Sequence, residues 1–120
     1  MKKGRKASGG KLKKQRKKKL YESAGIKRIV KLGDKKTKLI RGRGGNRKLV
    51  SLSANKVNII QKGKSKTTTI KNVLETPSNR FLARQNVLVK GAVIETDLGR
   101  AKITNRPSQE GCINAVLIEE

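Results

Sequence analysis

The stretch VNIIQKGKSKTTTIK, residues 57–71, decides the fold class. Two runs rich in β-branched residues, Val57 to Gln61 and Lys66 to Lys71, flank Lys62-Gly63-Lys64-Ser65. Branched side chains suit a pleated, half-buried surface, and a short break containing Gly is a turn signal. The stretch therefore predicts a β-hairpin. The same signals recur on both sides of it. Val50, Leu52 and Ala54 alternate with Ser51 and Ser53, a period of two that predicts the three apolar residues on one inward face. Ile113, Ala115 and Leu117 share one face of another strand. Ala92 to Thr96 and Arg100 to Asn105 flank Asp97-Leu98-Gly99, a second hairpin signal.

Strands thus recur about every ten residues. The breaks between them are Gly33-Asp34, Gly42 to Asn46, Gly63, Gly99 and Pro107. This rhythm predicts an all-β fold, a small antiparallel β-barrel-like domain with at most one short helix. The helix is expected in Arg80-Phe81-Leu82-Ala83-Arg84, with Pro77 near its start. No internal repeat points to a solenoid.

Charge divides the chain. Lys and Arg against Asp and Glu number 11 to 0 over residues 1–20, 10 to 2 over 21–50, 6 to 1 over 51–80 and 5 to 5 over 81–120. We expect a basic N-terminal extension over residues 1–22 and a barrel-like domain over 23–120. The extension is not expected to be helical: its lysines repel at helical spacings, and Gly4, Gly9 and Gly10 add backbone entropy. Extended, twenty residues reach about 65 Å. The neutral C-terminal third is expected to supply the core.

The net charge of +24 points to a polyanionic partner, because each neutralised phosphate releases condensed counterions. The candidate contacts in the extension are Lys2, Lys3, Arg5, Lys6, Lys11, Lys13, Lys14, Arg16, Lys17, Lys18 and Lys19. Lysine is a flexible point charge, so these residues meet phosphate without reading bases. A second group is Arg41, Arg43, Gly44, Gly45, Asn46, Arg47 and Lys48. Its arginines fit phosphates bidentately, and the paired glycines let backbone approach closely. Arg106, in the turn Asn105 to Gly111, is a further candidate, with pairing to a nearby acid as the alternative. Tyr21 and Phe81 are the only aromatics, which argues against base-stacking sheets and for recognition of shape and backbone.

Other chemistries find little support. The chain has no His, the commonest general base and metal ligand. Cys112 is single, which excludes an internal disulfide; its apolar neighbours predict a small buried side chain. Gly63-Lys64-Ser65 ends like a phosphate-binding loop, but Asn58 stands where the first Gly is needed. Glu95 and Asp97 are the one close carboxylate pair inside the fold and read as a solvated strand end. No apolar run reaches the ~18 residues of a membrane span, and the basic start lacks a secretory signal's apolar segment. A non-enzymatic binding protein is expected. Composition alone also permits a chromatin-type DNA binder.

Several motifs together resemble the archaeal and eukaryotic-type small-subunit ribosomal protein family numbered eight, which is unrelated to the bacterial protein of that number. Lys6-Ala7-Ser8-Gly9-Gly10-Lys11 is similar to the family's basic, Gly-Gly-containing N-terminal signature. The segment from Lys38 to Lys48 resembles its most characteristic motif. Gly91 to Gly99, Thr104-Asn105-Arg106-Pro107 and the ending Asn-Ala-Val-Leu-Ile resemble its C-terminal half. Ser108 departs from the pattern, where Gly is expected after Arg-Pro. The eukaryotic members' long insertion is missing, so the length looks archaeal. The resemblance implies a structural constituent of the small ribosomal subunit in the cytoplasm. Its implied partners are ribosomal RNA and neighbouring proteins, with no cofactor beyond RNA-associated Mg2+. It also implies that Arg41, Arg43, Arg47, Lys48 and the N-terminal cations touch RNA. An assembly factor sharing the domain is the alternative; the known ones are longer.

Overall fold

A computed structural model describes residues 4–12, 16–25, 27–61 and 63–118. Its centre is a closed five-stranded barrel. The strands are β4 (Lys56–Gln61), β5 (Lys64–Glu75), β6 (Val93–Thr96), β7 (Gly99–Ile103) and β8 (Asn114–Leu117). A three-stranded sheet stands beside it, in the order β1 (Lys31–Leu32), β3 (Arg47–Ala54), β2 (Lys36–Arg41).

The deciding stretch is the β4–β5 hairpin. Its turn is tighter than the four-residue break expected, because Gln61 already pairs with Lys64. Gly63 sits at φ +77°, a left-handed conformation that suits a two-residue connection. The Asp97-Leu98 hairpin also forms, with Thr96 opposite Gly99. The barrel closes where β4 meets β8 in parallel. Topology demands this: five strands that alternate in direction return the last one parallel to the first. The barrel expected from sequence is therefore present as a mixed one.

Strand β5 runs on through Asn72 to Glu75, beyond the Lys66 to Lys71 run read from the sequence. Its first half pairs with β4 and its second with β6, and the register skips Lys71 and Leu74. These bulges bend the strand enough to curve the wall. The interior is aliphatic. Val57, Ile59, Ile94, Ile103 and Ile113 are buried, and Ala92, Ala101 and Ala115 leave room at the narrow places. Each large side chain removed from water contributes about 1.5–3 kcal/mol. Seven of the thirteen core residues lie beyond residue 80, in the charge-balanced third.

Two readings of burial are corrected. Cys112 is exposed. The inward alternation of β8 runs through Ile113, Ala115 and Leu117, so residue 112 falls on the outer side. In β3 the expected period fails: Ser51 is buried and Leu52 is exposed. A bulge causes it, since Lys36 pairs with Ser53 and Thr37 with Ser51, skipping Leu52. Buried Ser51 is satisfied by the 106–110 turn. Its Oγ donates to the Glu110 carbonyl at 3.1 Å, and its N–H reaches the Pro107 and Glu110 carbonyls at 3.1 Å each.

The one α-helix among the described residues, α1 (Arg80–Arg84), has ends that explain it. The Asn79 side chain accepts from the Phe81 N–H at 3.0 Å, an N-cap. At the other end Asn86 adopts φ +52°. Its N–H bonds the Ala83 carbonyl at 2.9 Å, and the Val87 N–H bonds Leu82 at 3.1 Å. This is the left-handed Schellman stop, in which Asn substitutes for the usual Gly. Val87 is then buried and bridges to Lys31. We expect Asn86→Val to cost about 1–2 kcal/mol, since a branched side chain resists this φ, and Asn86→Gly to change stability by a few tenths. Thermal melting separates the two.

The described residues before Val30 include no buried one. The molecule spans 67 × 37 × 26 Å, and its radius of gyration of 20.8 Å exceeds the ~14 Å of a compact chain of this length.

Candidate nucleic-acid interface

Strands β2 and β3 form a ribbon whose end is the basic glycine loop. Arg41 pairs with Arg47, Ile40 with Lys48, Leu39 with Leu49 and Lys38 with Val50. Directly opposed residues share a face. One face thus carries Arg41, Arg47, Leu39 and Leu49; the other carries Lys38, Lys48, Ile40 and the buried Val50. Leu39 and Leu49 are 55% and 49% exposed, so the outer part of the ribbon is open to solvent, while Val50 is buried at its base. Among the described residues, neither Arg41 nor Arg47 has a hydrogen-bond or ion-pair partner. Like charges directly opposed on a ribbon are destabilising unless an anion lies between them.

The loop closes through the Gly42 N–H donating to the Asn46 carbonyl at 2.6 Å. Gly44 and Gly45 hold φ +70° and +78°. Two successive left-handed residues reverse the chain without a side chain in the way. Arg43 Nη2 donates to the Tyr21 carbonyl at 3.1 Å, so the loop is tied to the base of the N-terminal segment. Sequence reasoning did not find this tether, because it uses a main-chain oxygen of no particular residue type.

In the N-terminal segment, Arg5, Lys6, Lys11, Arg16, Lys17, Lys18 and Lys19 are exposed. Lys2, Lys3, Lys13 and Lys14 lie outside the described residues. A small reversal joins Arg5 to Lys11. The Lys6 N–H donates to Gly10 at 3.0 Å, the Gly9 N–H to Lys6 at 2.8 Å, and Arg5 Nη1 to Gly9 at 3.0 Å. A 3-10 turn follows at Leu20–Glu22. Glu22, the first acid of the chain, accepts from Arg16 at 2.7 Å and from the Lys19 N–H at 2.9 Å. These donors, Arg16 first, hold its carboxyl below the ordinary range. Arg16 is thus engaged within the chain, while Lys17 and Lys18 have no partner among the described residues.

Arg106 is exposed, and its acid alternative goes elsewhere: Glu110 accepts from Asn105 Nδ2 at 2.7 Å. Ser108 has no left-handed φ, so its position has no need of Gly, and its carbonyl accepts from Arg28 Nε at 3.4 Å. The structure brings Arg41, Arg43, Arg47 and Lys48 together at one tip and leaves Arg106 on a separate turn.

Asp97 is held by Thr69, whose hydroxyl donates to it, and by Lys71 at 3.3 Å. Both lower its pKa, the Thr69 bond most. A lowered folded value means stability that is present above the unfolded value near 3.8 and is lost as pH falls through the folded one. The pair is exposed, so the effect is small. Asp97→Asn is expected to flatten the fall in melting temperature below about pH 4. Among the described residues no group of His, Cys, Asp and Glu is placed to hold a metal ion, and no helix is long and apolar enough to cross a membrane.

The family model described as Ribosomal protein S8e matches residues 1–118, from the N-terminal segment through β8. The chain belongs to the ribosomal protein S8e family. It is similar to proteins named small ribosomal subunit protein eS8. The Nanoarchaeum equitans protein is 44% identical over 106 residues, covering 87% of this chain and 84% of the relative. The Methanocella arvoryzae protein is 40% identical over 116 residues, covering 95% and 93%. The Methanococcus aeolicus protein is 39% identical over 121 residues, covering 97% and 93%. S8e membership extends over the basic segment, the ribbon and the barrel alike.

Proposed function

We propose that this chain is a non-enzymatic structural constituent of the small ribosomal subunit, in the cytoplasm, and that it binds ribosomal RNA through phosphate neutralisation and shape. The full-length match to the S8e family carries the ribosomal assignment. The ribbon supports the mode of binding. It carries cations on both faces, Arg41 and Arg47 on one and Lys38 and Lys48 on the other, which suits a wedge between two rows of phosphates. Gly44 and Gly45 bring backbone N–H groups to the same tip, and Arg106 is a further phosphate contact.

In this reading residues 1–22 are an arm that threads between RNA helices, and residues 23–120 are the domain that docks. The exposure of every described residue up to Gly25 supports that division, and so does the Arg43–Tyr21 tether, which anchors the arm where the ribbon ends. The partners are ribosomal RNA and neighbouring subunit proteins; Mg2+ enters only as ions associated with RNA.

The test is sedimentation of the native protein in a lysate gradient, followed by a moderate-salt wash. Retention on mature small subunits and translating ribosomes is the expected result. Appearance only with precursor particles would make it an assembly factor. Loss to a DNase-sensitive fraction would overturn the RNA assignment.

A further inference from the structure

Helix α1 presents charge and an aromatic ring that nothing in the fold uses. The C-terminal third is charge-balanced, yet Arg80 and Arg84 stand one helical turn apart with no ion-pair partner among the described residues. Like charges at that spacing repel. Arg80 lies 5.7 Å from the centre of the Phe81 ring. Phe81 is 58% exposed and is one of only two aromatics in the chain. An aromatic spent on the surface, when the core is wholly aliphatic, contributes little to folding.

Arg80, which lies against the ring, also lines a cavity between α1 and the bulged end of β5. Asn72, Leu74, Arg80, Arg84 and Asn86 line it, and its described wall carries no carboxylate. The carboxylates of Asp97 and Glu110 are taken by Thr69 with Lys71 and by Asn105. Asn72 Oδ1 accepts from the Val73 N–H at 2.9 Å, which leaves its amide hydrogens to donate. The Asn86 side chain has no hydrogen bond among the described residues, so it offers both a donor and an acceptor. Leu74 adds a half-exposed apolar floor.

We propose that this face of α1 binds one unpaired RNA nucleotide, a bulged or looped-out base with its flanking phosphates. The base stacks against Phe81, the amides of Asn72 and Asn86 address its edge, and Arg80 and Arg84 meet the phosphates. The arrangement fits what single-stranded RNA offers and a duplex does not: a free π-face and a free edge beside a backbone charge. The site rests on the RNA-binding reading above and adds base recognition at one point to contacts that otherwise take only phosphate.

The experiment uses the full chain and two RNA stems of equal length at matched salt, each closed into a hairpin by a non-nucleotide linker, one with a single-nucleotide bulge and one fully paired. The intact protein is expected to prefer the bulged hairpin about tenfold, as one base–aromatic stack provides. Phe81→Ala should erase that preference and leave affinity for the paired hairpin unchanged, while Phe81→Tyr should restore it. Arg80→Gln with Arg84→Gln should weaken the bulged complex more than the paired one. Phe81 is exposed, so its variants should melt with the parent. Equal affinity of the intact protein for both hairpins, or a preference that survives Phe81→Ala, would overturn the site while sparing the RNA reading. Failure to bind either hairpin in a salt-dependent way would overturn both.

Discussion

Deleting residues 1–20 is expected to flatten the salt dependence of RNA affinity. The deletion removes 11 of the 32 cations and none of the carboxylates. Each phosphate contact contributes a slope of about 0.7–0.9 in log affinity against log salt. If half the arm's cations meet phosphate, the slope becomes shallower by about 4, and the affinity ratio between 50 and 200 mM salt falls about 250-fold. Fold stability should hold, because no described residue of the arm is buried. Filter binding across a salt series with small-subunit RNA measures the slope, and thermal melting checks the fold. An unchanged slope would mean that the arm does not touch phosphate.

The ribbon variant Arg41→Gln with Arg47→Gln should separate binding from stability. These residues oppose each other across β2 and β3, so neutralising both relieves a repulsion of about 0.2–1 kcal/mol. The free protein should melt at the same temperature or a few degrees higher. RNA affinity should nevertheless fall about a hundredfold, since two charge-assisted contacts are lost. A variant that lost stability and affinity together would show the arginines to be structural. Gly44→Val is a weaker test of the same loop. At φ +70° a branched residue strains the turn itself by about 1–2 kcal/mol, so a binding loss mixes two causes.

Local readings succeeded where a short-range rule was sufficient. The 57–71 hairpin, the Asp97-Leu98 turn and the helix at 80–84 all form where β-branched runs, glycines and capping residues put them. The readings that failed depended on neighbours distant in sequence. Leu52 and Ser51 exchange burial because a bulge shifts β3 against β2 and because the 106–110 turn offers Ser51 its carbonyls. Cys112 stands outside although its neighbours are apolar, because the inward face of β8 passes through Ile113 and Ala115.

The candidate interface divides in the same way. Its charge was legible, since cations are counted from the residues themselves and the Arg-Gly loop is contiguous. The pairing of Arg41 with Arg47 was not, because register depends on where the loop reverses. Nor was the Arg43 bond to the Tyr21 carbonyl, which carries no side-chain signature. Phe81 was noted only as one of two rare aromatics; that Arg80, beside its ring, lines a cavity with Asn72 and Asn86 comes from β5 bending past α1.

By itself the sequence determined the graded positive charge, the all-β class and the location of the turns. Net charge, branching at Cβ and glycine's freedom at positive φ are properties of residues and their near neighbours. Only the tertiary structure decided the parallel seam of the barrel, the faces of the ribbon and the cavity between α1 and β5. Those depend on pairing register and barrel closure, which are settled by burying all the apolar faces at once and therefore belong to no single stretch of chain.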